Sequence, residues 1–179
     1  SKPLLIVSDG LDGEALAACI VNQLKGVLRV CAVKGPSFGE EKEEIFSDIA
    51  AYTGATHITE YMNVDMTKLD GKTAKQYLGC AAKISVNAHE TLIMGGHSDL
   101  DRLSVRIETL KEKLATSISQ YERERYAERL GSLTQGVAVV RIGANTDTEQ
   151  KELRDRADDT LAAMKAAWIQ GVHEGAGIA

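Results

Sequence analysis

Aromatic side chains are scarce: they make up 4% of the 179 residues, with a single Trp, so any core must be built from aliphatic groups. Only two prolines occur, which excludes a proline-rich spacer of the extended kind. Three cysteines, Cys19, Cys31 and Cys80, are odd in number and contain no CxxC pair. They exclude a disulfide framework and fit a reduced compartment in which thiols act as small apolar residues. No apolar run reaches the roughly 18–20 residues of a membrane helix, so no membrane partner is expected. The net charge is −5 and no basic stripe stands out, so no nucleic-acid partner is expected either. His57, His89, His97 and His173 are far apart and lack ligand spacing, so no metal site is expected. No Ser or Cys sits in a GxSxG-type elbow. Nothing in the chain reads as a self-contained active site.

What is present is the composition of a globular protein, 44% hydrophobic and 26% charged. The opening "SKPLLIVSDG" has neither an initiator Met nor a signal-peptide layout and enters a strand abruptly. The expectation is a segment of a longer, non-secreted chain.

The periodicity predicts an α/β order. "PLLIV" at 3–7 reads as a buried strand, "GEALAACIVNQLKG" at 13–26 as a helix, and "VLRVCAVKG" at 27–35 as a second buried strand, which makes a parallel β-α-β unit. A helix follows over 40–54, with acids in its first turn, Ile45, Ile49 and Tyr52 on one face, and Gly54 as its stop. "THIT" at 56–59 resembles a short strand. Residues 81–96 read as two strands joined by a tight turn near Asn87 and Ala88. From Ser98 to Gly131 the period is helical, and Ser117 and Ser119 divide it into an antiparallel pair. "GVAVVRIG" at 136–143 reads as a strand. Thr146 and Glu149 form a capping box for a last helix, with Leu153, Ala157, Leu161, Met164 and Trp168 as one stripe and Gly171 as the stop. The one organisational break falls near Gln135 and Gly136.

Few residues invite a functional reading. On the helix at 13–26, Leu16, Ile20, Leu24, Ala17 and Val21 fan over more than a third of the circle at about 100° per residue. Ala15 and Cys19 extend the apolar surface further. Either the helix is a buried crossover, or its apolar face grips partners from an exposed position. The turn at 8–13 has glycines after a strand, as dinucleotide sites do, but lacks GxGxxG and an acidic residue closing the next strand. A nucleotide- or metabolite-binding α/β enzyme is therefore the rival reading. Asp159 has Ala162, Ala163 and Ala166 as neighbours, a small-residue surface that a ligand could approach, or else it is one solvated acid beside Asp155 and Asp158. Gly171, Gly175 and Gly177 in "GVHEGAGIA" could shape a phosphate turn or simply end a helix.

Four ordered blocks resemble the group I chaperonins, the bacterial and organellar GroEL type. They are "KPLLIV" with "DGEALAACIVNQLKG", "VCAVKGPSFGEEKEEIFSDIAAYTGAT", "YERERYAERLGSLTQGVAVVRIGANTDTE" and "RADDTLAAMKAAWIQGVHEGAGIA". The resemblance covers nearly the whole chain and is loose only around 60–100. It implies a partial apical-domain-like layered fold over 1–135, an intermediate-domain strand and helix over 136–170, and the start of the equatorial domain over 171–179. The family's phosphate-binding loop and the first helix of its apical groove would precede Ser1.

The resemblance also implies roles. Leu16, Ile20, Val21 and Asn22 match positions that bind non-native polypeptides and the co-chaperonin's mobile loop. Asp159 matches the carboxylate that positions the water attacking the ATP γ-phosphate beside Mg²⁺. Gly175 and Ala176 match nucleotide-contacting positions, and Asp147 an acidic position used in ion pairs between domains or subunits. The implied parent is an ATPase working as a heptameric homo-oligomeric ring in the bacterial cytoplasm, the mitochondrial matrix or another organelle. ATP and Mg²⁺ would belong to that parent, and this segment alone is expected to be inactive as an ATPase. Departures from the family pattern are Gln135-Gly136 for a hinge Gly pair, "GPSFG" for "APGFG", and Gly175-Ala176-Gly177 for three glycines. They leave a third reading open, a chaperonin-like interaction module without ATP cycling.

Overall fold

The computed structural model describes residues 2–65, 68–88, 90–134, 138 and 140–175. Gln135, Gly136, His89, Ala176 and Gly177 lie outside the described residues. The chain divides into two compact units, Ser1–Val137 and Ala138–Ala179.

The first unit is mixed α/β, with two small sheets. Strand β1 (Leu4–Ser8) and strand β2 (Val30–Lys34) pair in parallel, Leu4 opposite Val30 and Ser8 opposite Lys34. Helix α1 (Gly13–Leu24) makes the crossover. The β-α-β unit is as expected, but its strands are not buried: β1 is only part-covered, and Cys31, Ala32 and Lys34 of β2 are exposed. A two-stranded ribbon has no interior strand and leaves an outer edge on each side.

Helix α2 (Gly39–Thr53) ends where Gly54 turns left-handed, at φ 75°. A side chain there would also meet the His97 carbonyl oxygen at 2.5 Å, so glycine serves both the turn and the close approach. The expected stripe of Ile45, Ile49 and Tyr52 is only part-covered; the buried positions are Asp48, Ala50, Ala51 and Thr53. The strand expected at 56–59 does not form. Thr56 N donates to the Tyr77 carbonyl, one bond without a ladder.

Strands β3 (Ala81–Val86) and β4 (Thr91–Gly96) form the expected antiparallel hairpin. At its turn the Asn87 and Glu90 backbones bond, Asn87 N donating to Glu90 O at 3.0 Å and Glu90 N to Asn87 Oδ1 at 2.8 Å. The hairpin is tied to the end of α2 by Cys80 N donating to Thr53 O at 2.8 Å. Helices α3 (Leu100–Thr116) and α4 (Gln120–Thr134) break at 117–119, as the two serines predict. Arg106 and Arg129 both reach Asp48 although each is about ten residues from that break, so α4 runs back along α3.

The core sits where α2, α3 and α4 meet. Among the described residues, its buried apolar members are Ala50, Ala51, Leu110 and Leu133, of which only Leu110 is wholly enclosed. The aliphatic core expected from composition is therefore much smaller than the 44% hydrophobic content implies.

In the second unit, helix α5 (Asp147–Gln170) starts at Thr146, whose Oγ1 accepts from Glu149 N at 3.2 Å. The reciprocal half of the box differs from expectation: the Glu149 carboxylate accepts from Asn145 N, one residue before the cap. The strand expected at 136–143 does not form over its described residues, Ala138 and 140–143. A strand needs a neighbour to complete its backbone bonds, and this unit has no other strand among the described residues. The α5 stripe is uncovered, with Leu161, Met164 and Trp168 50%, 62% and 91% exposed.

The accessible area is 13993 Å². Even counted as two separate compact bodies, chains of these sizes would expose roughly 10,000 Å². Surface that compact domains normally cover stands open here.

Candidate functional site

Two regions of the first unit are candidates: the outer face of α1 and the ionic junction under α3 and α4. Helix α1 begins at Gly13, φ 53°, with Asp12 as an extended cap residue that makes no side-chain cap bond. None of its residues is buried. Leu16, Ile20 and Val21 are 40%, 49% and 45% exposed and Leu24 is 81% exposed. On a helical wheel these four and Ala17 fill an arc of about 140°. The two helix residues that are part-covered, Cys19 and Asn22, lie on the opposite side. The branched apolar residues thus lie away from the two part-covered ones, in a helix whose remaining positions are all exposed. Gln23 Oε1, accepting from Val30 N at 3.3 Å, ties it to β2.

Asn22 has a structural task within this helix. Its Nδ2 donates to the Ala18 carbonyl at 2.8 Å, and its own carbonyl accepts from Val27 N and Leu28 N. Those bonds close the helix and turn the chain toward β2. The structure brings Leu16, Ile20 and Val21 onto one outward arc and sets Asn22 apart from them.

The ionic junction was missed by sequence reasoning. Asp48 Oδ1 accepts from Arg106 Nε at 2.6 Å and from Arg129 Nη2 at 3.1 Å, and Oδ2 accepts from Arg129 Nε at 2.6 Å. Glu44 Oε2 accepts from Arg106 Nη2 at 2.6 Å and Arg129 Nη2 at 2.9 Å, while Oε1 accepts from Lys113 Nζ at 2.9 Å. One turn earlier, Glu41 accepts from Ser37 and Arg125. The Asp48 and Arg129 side chains are only 9% and 11% exposed. Burial pushes the Glu44 carboxyl up, but the bonds from Arg129 and Lys113 and the Arg106 charge outweigh it and hold it at about 2. Glu41 is also lowered, first by the Ser37 hydroxyl and then by Arg125. Burial lowers the Arg129 guanidinium, yet Asp48 and Glu44 leave it raised overall. Every charge in this junction faces an opposite one, so it clamps α3 and α4 to α2 and offers no free group to a ligand. The signal was present as spacing: Glu41, Glu44 and Asp48 share a face of α2, as Arg125 and Arg129 do on α4.

Ser47 and His57 also meet. His57 Nδ1 lies 3.3 Å from Ser47 Oγ, and its Nε2 lies 3.3 Å from Glu43 Oε2. The Ser47 hydroxyl donates to the Glu43 carbonyl at 2.9 Å, so its proton is engaged by the helix and the imidazole does not activate it. The edge-to-face contact of His57 with Phe46 fits a packing role. In the 8–13 turn, the Asp9 carboxylate is held by Lys42 at 2.7 Å and Ser8 Oγ donates to the Gly10 carbonyl.

In the second unit, Asp159 is exposed on α5 and its carboxylate makes no hydrogen bond or ion pair among the described residues. Asp147 is exposed in the first turn of the same helix. Gly175 is exposed, with open space where a side chain would stand. Among the described residues, no group of three or more His, Cys, Asp or Glu side chains is assembled that could hold a metal ion, and no helix is long and apolar enough to cross a membrane. Compared with known families, the chain matches no family model.

Proposed function

We propose that this chain is a chaperonin segment that binds exposed apolar stretches of non-native proteins through the outer arc of α1. The supporting observation is that Leu16, Ile20, Val21 and Leu24 are exposed together on one arc, while the two part-covered residues of the helix, Cys19 and Asn22, lie outside it. An unfolded chain offers apolar side chains without fixed sequence. Their burial against such an arc stabilises binding at about 25 cal/mol per Å² and requires no directional match. The group I chaperonin resemblance extends the proposal to a parent: a partial apical domain followed by an intermediate-domain segment, a heptameric ring, and a co-chaperonin loop that takes the same arc. In that parent Asp159 would act on the attacking water, with Mg²⁺ and ATP supplied at a nucleotide site that Gly175 and Ala176 adjoin.

Titration of a fluorescent apolar peptide against the wild type and Leu16→Ser/Val21→Ser tests the reading, with circular dichroism as the check on folding. Binding is expected for the wild type and a loss of at least tenfold for the double variant, with folding retained. If the double variant unfolds, α1 is core and the reading fails. If a folded wild type does not bind the peptide, α1 alone is insufficient as a binding surface.

A further inference from the structure

The apolar arc of α1 has charged ends of opposite sign. Asp12 and Glu14 stand exposed at its start and Lys25 stands exposed at its end, and none of the three makes an ion pair among the described residues. Glu14 and Lys25 border the same edge of the arc, seven residues before Val21 and four after it. A helix carries about half a positive charge at its N-terminus and half a negative one at its C-terminus. Two carboxylates outweigh the first and one ammonium outweighs the second. The net field along the arc therefore runs from negative at Gly13 to positive at Lys25. By helical rise, Glu14 and Lys25 are about 16 Å apart, the length of about five extended residues.

We infer that the arc selects apolar segments that are charged asymmetrically, with a cationic flank set on Asp12 and Glu14 and an anionic flank set on Lys25. This rests on the reading of α1 as a binding surface and adds a preference to it. The apolar centre supplies affinity, and the flanks set the orientation and bias the choice among segments of equal hydrophobicity. Because the charges are exposed, the bias is a few-fold effect that salt removes.

Three peptides with one five-residue apolar core and the same neutral fluorophore test it: one flanked by Lys and Glu, one by Lys at both ends, and one by Glu at both ends. At low ionic strength the Lys/Glu peptide should bind tightest and the Glu/Glu peptide weakest, about fivefold apart. The order should collapse near 1 M salt, and in Asp12→Asn/Glu14→Gln, which leaves Lys25 and the positive helix start, the Glu/Glu peptide should no longer be the weakest. Equal binding of all three at low salt would overturn the charge preference and leave the apolar arc standing. Failure of all three to bind would overturn both. Sedimentation supplies a further check: if Glu14→Lys and Lys25→Glu each abolish self-association and their mixture restores it, the charges serve a second copy, and the preference for a peptide is wrong.

Discussion

Helices α1 and α2 follow each other in the chain and are treated in opposite ways by the fold. Helix α1 turns Leu16, Ile20, Val21 and Leu24 outward. Helix α2 buries an aspartate, Asp48, together with Ala50 and Ala51. A rule based on hydrophobicity alone would reverse these assignments. The difference is one of partners. Asp48 meets two guanidiniums delivered by α3 and α4, which compensate its desolvation. The α1 arc meets nothing that covers it to the same degree, so its apolar surface remains available. Ion pairing is concentrated at the junction and exposed apolar surface at the arc.

The largest effect that would break this contrast is expected at the junction. Asp48→Ala takes from Arg106 and Arg129 the more buried of the two carboxylates they share, leaving only Glu44, and should destabilise the first unit by about 3 kcal/mol, read by urea denaturation. Leu16→Ser/Val21→Ser, in the same assay, should cost less, about 2 kcal/mol, because its side chains are only a little over half covered. Equal losses from the two variants would mean that α1 and the junction are not the different surfaces described here.

Acid gives an intermediate effect. The Glu44 carboxyl is lowered from the usual 4.5 to about 2, so its contribution is fully present above pH 4.5 and is lost as the pH falls toward 2. Discounted for its partial exposure, the loss should be about 1–2 kcal/mol. Glu44→Gln should remove that part of the pH dependence of the unfolding midpoint; an unchanged acid limb would show that another carboxylate governs it. The smallest effect sharpens the picture of the arc. Asn22→Ala gives up one side-chain bond to the Ala18 carbonyl but gains helix propensity, so stability should stay within about 0.5 kcal/mol. If peptide affinity nevertheless falls severalfold, the Asn22 amide leaves its helix carbonyl to meet the bound chain.

Much of the local structure was legible. Gly13, Gly54, Thr146 and Gly171 mark helix ends in the structure, and Ser117 and Ser119 bracket the break between α3 and α4. The strand expected at 56–59 and the described part of the one expected at 136–143 have strand-like composition, but a strand is completed by the neighbour that pairs with it. The α5 stripe was legible as a stripe, but nothing in its spacing said whether it would be covered.

Capping, turns and helical period depend on residues within a few positions of each other, and these the sequence determined by itself, including the apolar arc of α1. Tertiary structure decided which faces are covered. Arg106 and Arg129 come from 58 and 81 residues away to neutralise Asp48, and the acidic face of α2 does not by itself say which helices will deliver them. The outward turn of Leu16, Ile20 and Val21 was decided in the same way. Burial is a property of what folds back against a surface, and the distant elements that could cover this arc are gathered around Leu110 instead.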